Sequence, residues 1–258
     1  MINEFFMKLF SDENTSIMIE MFSIWHILYM LIIIGSAVAL SIYLKDKSDD
    51  VKEKVVNRIA ILLFATYMLD FFCMPLREDQ INIDKLPFHI CTLSSILILF
   101  TRFNSRFKKF RAPVLILGLV GTLMYLCYPS SAFHDYSAFS YVVLQTFLYH
   151  GLLLIYGVVA IACKNVELNW KKFYEVPILM ALMVVWASIG NAVYSKPDSP
   201  FDWAFIRGRN FPVFPDNLNF LMPFAVIFAF VGSAALIYGL VINLIPYLKA
   251  KFTKKQNG

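Results

Sequence analysis

The stretch LPFHICTLSSILILF, residues 86–100, gathers His89, Cys91, Thr92, Ser94 and Ser95 at the start of an otherwise apolar run. A thiol, an imidazole and three hydroxyls this close together raise the question of nucleophilic chemistry. His89 and Cys91 are two residues apart, so on a regular helix they point to nearly opposite sides and do not form a nucleophile–base pair. Cys91 shares its face with Ser94 and Ser95, and Thr92 is an alternative nucleophile on another face. A reactive Cys91 therefore needs a base from elsewhere in the chain, because a thiol reacts as its thiolate. His150 is the first candidate and His26 the second. Each residue also has a plainer reading. Cys91 alone is a small apolar filler, His150 a helix-to-helix hydrogen bonder, and His26 a ring at headgroup depth.

The remaining polar groups at comparable places are Asp70, Asn191 and Tyr194. Ionisable side chains inside membrane spans are costly and face a bundle interior or a cavity. Asp70 in particular requires a partner or a proton. No H-x-x-x-H or H-E-x-x-H pattern places two histidines on one face, and the FHDY of residues 133–136 brings no third ligand nearby in sequence, so no metal and no cofactor is expected. Gly-rich phosphate loops and a G-x-S-x-G elbow are absent from the sequence as well.

These residues are carried by a chain that is 59% hydrophobic and 16% charged, against about half and about a quarter in soluble domains. The apolar residues fall in runs at 22–44, 55–76, 86–103, 112–129, 139–163, 173–194 and 218–246. Most are near the roughly 20 residues a helix needs to cross a hydrocarbon core. The expected fold is an all-α polytopic membrane bundle of seven transmembrane helices forming one domain over 1–258. Residues 1–21 read as an interfacial segment rather than a signal peptide, 22–246 as the bundle, and 247–258 as a basic tail. The loop 195–217 contains four prolines and many aromatics, and reads as an ordered cap.

Basic residues alternate in number between the connections. Lys45, Lys47, Lys52, Lys54, Arg58, Arg102, Arg106, Lys108, Lys109, Arg111, Lys164, Lys171, Lys172, Lys249, Lys251, Lys254 and Lys255 fall on one side, leaving six of the 23 for the other. The positive-inside rule puts the C-terminus in the cytoplasm and the N-terminus outside. The net charge of +5 is then mostly a cytoplasmic-leaflet feature, suited to anionic headgroups, and nothing suggests nucleic acid. With that topology His26, Asp70, His89, Cys91, His150 and Asn191 all lie in the outer half or at the midplane, which predicts one polar cavity open to the outside. Cys73 and Cys127 both fall near the outside, where a disulfide between them is conceivable.

The blocks LPFHICTLSSILILF, GLVGTLMYLCYPSSAF, LQTFLYHGLLLIYG and NAVYSKP, with FSIWH at the start of the first span, resemble in that order the YwaF-type bacterial integral membrane family, which is similar to the eukaryotic transmembrane protein 164. The resemblance covers most of residues 22–200 and fades beyond. It implies an acyltransferase-like membrane protein in which Cys91 matches a cysteine nucleophile and His150 its histidine partner. It further implies membrane phospholipids or lysolipids as reactants and a bacterial cytoplasmic membrane as the location. Ser95 or Asn191 would assist the oxyanion, with His26, Asp70, His89 and Tyr194 lining the substrate side. The alternative is a binding or transport protein in which His150 and Asp70 couple protons.

Overall fold

The computed structural model describes residues 18–78, 83–127, 136–194, 202–207 and 215–247, with the side chains of 73–78, 84 and 216 outside that description. The described chain is helical, with a single isolated bridge from Met18 to Ser137. Seven apolar helices follow one another: α1 (Ile24–Leu44), α2 (Asp49–Glu78), α3 (Ile90–Phe103), α4 (Arg111–Cys127), α5 (Tyr141–Ala162), α6 (Glu175–Tyr194) and α7 (Met222–Tyr238). The polytopic helical bundle read from the hydropathy runs is what the chain forms.

Six of the described helical stretches are long and apolar enough to cross a membrane, and α3 is the exception. Its 14 residues rise about 21 Å at 1.5 Å each, short of a full hydrocarbon core. The expected run of 86–103 loses its front to a turn. The Phe88 N–H donates to the Leu86 carbonyl at 2.7 Å, and helix begins only after the cap residue His89. Pro87, a residue type that suits the first turn of a helix, therefore lies ahead of this one. The seventh apolar run is a composite. A 3₁₀ segment (Asp216–Leu221) leads into α7, and a π-helical turn (Gly239–Leu244) prolongs it.

The chain divides into two compact units, one of residues up to Ile81 with Gly121–Asn165, the other of Asn82–Val120 with everything from Val166 onward. The boundary cuts α4, whose first part belongs to the second unit and whose last seven residues belong to the first. In the first unit α5 packs against both α1 and α2. Its sequence suits that central place, because Val143, Phe147, Leu153, Leu154, Tyr156, Val159 and Ala160 are all buried. Gly151 marks a close approach between α5 and α1. A Cβ there would stand 2.9 Å from Cγ1 of Ile33 on α1, so only glycine lets the two helices meet at this depth. On α1 only His26, Ile33, Ala37 and Leu44 are buried, while Ile24, Leu31, Ile32 and Ile42 stay exposed, an apolar outer face suited to lipid.

In the second unit α6 packs on α7, and α3 packs on the 3₁₀ turn Ser105–Phe110. The end of α3 is closed by Arg111, whose Nε donates to the Thr101 carbonyl at 2.9 Å and whose Nη2 donates to the Arg102 carbonyl at 2.8 Å. These carbonyls lie in a last turn that has no helical N–H of its own to accept. Ser23 and Ser140 cap α1 and α5, accepting from the His26 and Val143 N–H groups, as serine does at helix starts.

Candidate functional site

The predicted residues divide between the two units. His26, Asp70 and His150 belong to the first, and His89, Cys91, Ser95, Asn191 and Tyr194 to the second.

In the first unit the two histidines hold their protons on opposite nitrogens. His150 lies midway along α5, and its Nδ1 is 2.9 Å from the Thr146 carbonyl oxygen. A carbonyl only accepts, so Nδ1 carries the hydrogen and the basic lone pair of the neutral ring is on Nε2. The imidazole lies face to face with Tyr125, centroids 3.8 Å apart and planes 8° from parallel. Tyr149 closes it edge-on at 5.1 Å. The hydrogen bond to Thr146 and the Tyr125 and Tyr149 rings thus help fix the imidazole.

His26 is the reverse case. Its Nε2 is 2.8 Å from the Leu126 carbonyl and donates to it. Its Nδ1 accepts the Phe22 N–H at 3.0 Å, and the residue is 2% exposed. Both nitrogens of the neutral ring serve backbone groups. One is the carbonyl of the last turn of α4; the other is the amide of Phe22, which sits at φ 60°. Asp70, on α2, is 3% exposed and accepts a hydrogen bond from the Tyr141 hydroxyl at 3.3 Å. Tyr67, one turn earlier on α2, has its ring 6.4 Å from that of Tyr149. Tyr67, Tyr125, Tyr141 and Tyr149 are the residues that the sequence reading passed over here. Only Tyr125 and Tyr149 fell inside quoted blocks, and nothing in their spacing marked them.

In the second unit Cys91 is the second residue of α3, half-buried, two positions after the cap residue His89. The His89 side chain makes no capping bond, and its ring lies 6.2 Å from Phe205. The first N–H groups of a helix have no intrahelical acceptor and concentrate positive potential, which favours negative charge on a side chain in the first turn. Ser95 is fully buried and its hydroxyl donates back to the Thr92 carbonyl at 2.8 Å. Ser94, one turn after Cys91, is also fully buried, and its hydroxyl meets no partner among the described residues.

Asn191 acts on backbone. Its Oδ1 accepts the Trp203 N–H at 2.8 Å, and its Nδ2 donates to the Trp203 carbonyl at 3.2 Å. Arg207 Nη2 donates to the Asn191 carbonyl at 2.8 Å. Asn191 thereby fastens the described part of the cap loop, 202–207, to α6, and Ala204 and Phe205 there adopt φ near 60°. Tyr194 packs edge-on against the Trp203 ring at 5.9 Å. Of the expected cap over 195–217, residues 195–201 and 208–214 lie outside the described residues, as do His134 and Asp135 of FHDY. The Cys127 thiol is free and exposed, and the Cys73 side chain lies outside the described residues. Among the described residues no three His, Cys, Asp or Glu side chains gather as a metal site.

A comparison with curated proteins finds no match, and one with solved structures finds none. The family model described as the TMEM164 family matches residues 21–243. That stretch takes in the seven helices α1–α7 named above and each of the candidate site residues. The chain belongs to the TMEM164 family and is a multi-pass membrane protein.

Proposed function

We propose that this membrane protein is a lipid acyltransferase with Cys91 as nucleophile and His150 as base. The observation that carries the reading is the setting of His150. Its Nδ1–H is tied to the Thr146 carbonyl and its ring is held by Tyr125 and Tyr149. A general base needs this arrangement, a fixed tautomer with the lone pair on the other nitrogen. Cys91 adds the second support, since it stands in the first turn of α3 beside N–H groups that have no intrahelical acceptor.

The sulfur of Cys91 attacks the acyl carbonyl of a phospholipid ester, with its proton passing to Nε2 of His150. The tetrahedral adduct collapses, the ester C–O bond breaks, and the imidazolium returns the proton to the departing lysolipid oxygen. A thioester remains on Cys91. An acceptor hydroxyl, from a lysolipid or water, then attacks that carbonyl while His150 takes its proton; the C–S bond breaks, and the imidazolium returns the proton to the departing sulfur to restore the thiol. The reactants are membrane lipids and the setting is a cell membrane, for which the bacterial cytoplasmic membrane is the proposed location. His26 serves in this reading as a fixed structural ring, and its part beside substrate is correspondingly small.

The test is intact mass of the purified protein after incubation with a phospholipid, together with chromatography of the lipid products. A mass increase of one acyl group, lost on Cys91→Ala, is expected. A binding or transport role is the second reading, favoured by the buried Asp70 carboxylate and its Tyr141 partner. Full acyl transfer by Cys91→Ala would defeat the nucleophile assignment, and absence of any acyl product from the wild type would put the transport reading first.

A further inference from the structure

The segment just ahead of Cys91 is gripped more firmly than a connection needs. The Phe88 ring is 93% hidden in an aromatic slot. It stacks on Trp186 with centroids 5.1 Å apart at 27°, and meets Trp203 at 4.8 Å and Tyr194 at 5.8 Å. The floor of the slot is Gly190, where a Cβ would stand 2.5 Å from the Phe88 ring carbons. Trp186 and Gly190 lie one turn apart on α6, so one helix face forms both wall and floor. Trp186 does something more. Its Nε1–H donates to the Pro87 carbonyl at 2.8 Å, and Trp203 is itself held by Asn191. All these residues belong to the second unit.

We propose that Trp186 is a positioning residue for Cys91: by holding the Pro87 carbonyl and the Phe88 ring, it fixes the place and direction in which α3 begins. The proposal rests on the reading of Cys91 as the reactive thiol. Residues 87 and 88 are the last ones before the cap His89, and Cys91 is in the turn they launch. The amides of that turn stabilise charge on the sulfur only while the turn is formed, since the effect fades within one turn of a helix end. A frayed start would leave Cys91 an ordinary thiol. The placement of Trp186 argues that packing is not its whole purpose. It is 41% exposed, so it contributes less as core than a buried indole, and a membrane-border tryptophan acting as an anchor has no need of a carbonyl in another segment.

The experiment reads thiol chemistry and does not depend on acyl transfer. Wild type, Trp186→Phe, Trp186→Leu and Gly190→Ala are alkylated with iodoacetamide across pH 6–10. Modification of Cys91 is followed by peptide mass spectrometry so that Cys73, Cys127 and Cys163 are counted separately. Trp186→Phe keeps the stack and loses the N–H; Trp186→Leu loses both. At neutral pH the Cys91 rate should fall about two- to fivefold in the leucine variant, the range a helix terminus supplies, and less in the phenylalanine variant. Both should regain the wild-type rate at high pH, because the thiolate is then formed without help. Gly190→Ala should shift the profile in the same direction by displacing the Phe88 ring. Exposed Cys127 is the internal reference and should not change. An unchanged pH profile for Cys91 in a folded Trp186→Leu protein overturns the proposal. Should that variant fail to fold, an unchanged profile in Trp186→Phe does so. Inactive lipid assays with a shifted alkylation profile would count against the acyltransferase reading alone.

Discussion

At the scale of single residues, the two buried histidines of the first unit predict opposite phenotypes. His26 spends both nitrogens on backbone groups. Removing the ring strands the buried Leu126 carbonyl at about 1–3 kcal/mol and releases the part-buried Phe22 amide. His26→Ala should therefore lower the midpoint of thermal unfolding in detergent by several degrees while the turnover of surviving protein stays within about threefold. His150→Ala should do the reverse, with little change in melting and a loss of about 100- to 10,000-fold in acyl transfer. Paired melting and turnover measurements on the two variants decide it; equal rate losses would erase the distinction. The Tyr125 stack adds a graded test. If its face stabilises the imidazolium formed when His150 takes a proton, worth about 0.5–2 kcal/mol, Tyr125→Phe should stay near wild type and Tyr125→Leu should lose about two- to thirtyfold. The sequence ranked His150 ahead of His26 as base by depth alone, one midway along its span and the other at headgroup level. Their different hydrogen bonding, to the Thr146 backbone for one and to the Leu126 and Phe22 backbone for the other, is something no spacing rule in the sequence carries.

At the scale of elements, helix existence was legible and helix detail was not. Hydropathy runs located the six long helices among the described residues because apolar length is a direct physical requirement of a span, and they marked α3 as a shorter apolar run. The start of α3 was missed because the turn at 86–88 depends on partners remote in sequence, Trp186 on the Pro87 carbonyl and Gly190 under Phe88. Close helix contacts were equally hidden. Gly151 sets the approach of α5 to α1, and its residue type does not say which helix it faces. Gly151→Ala should destabilise the first unit by about 1–3 kcal/mol, the usual range for an added methyl in a packed interface. Ile33→Ala, costly alone, should recover part of that loss when combined with it. A double-mutant cycle on thermal unfolding measures the coupling, and strict additivity would show that the two side chains do not compete for the same space. Ser94 offers a further contrast on α3. A buried hydroxyl without a partner among the described residues costs stability, so Ser94→Ala should melt no lower than wild type.

At the scale of the whole chain, the alternation of basic residues yields an orientation that rests on sequence. The expected cytoplasmic connections include the 3₁₀ turn Ser105–Phe110, where Arg106, Lys108 and Lys109 are exposed and free to meet anionic headgroups at about 1 kcal/mol per charge near the surface. Such a segment acts during insertion, when the chain selects which loops cross, and it holds no group that the proposed chemistry uses. Lys108→Gln combined with Lys109→Gln should therefore reduce the fraction of chains correctly inserted. The fraction is read by modification of a cysteine placed at Ser105, in a background lacking the four native cysteines, with a reagent that does not cross membranes. In parallel, in the otherwise native chain carrying Cys91, acyl transfer per correctly inserted molecule should hold within about twofold. A double variant that inserts normally and loses acyl transfer outright would place the working face of the protein on the basic side. The charge pattern would then have to be read as substrate recognition rather than as a record of topology.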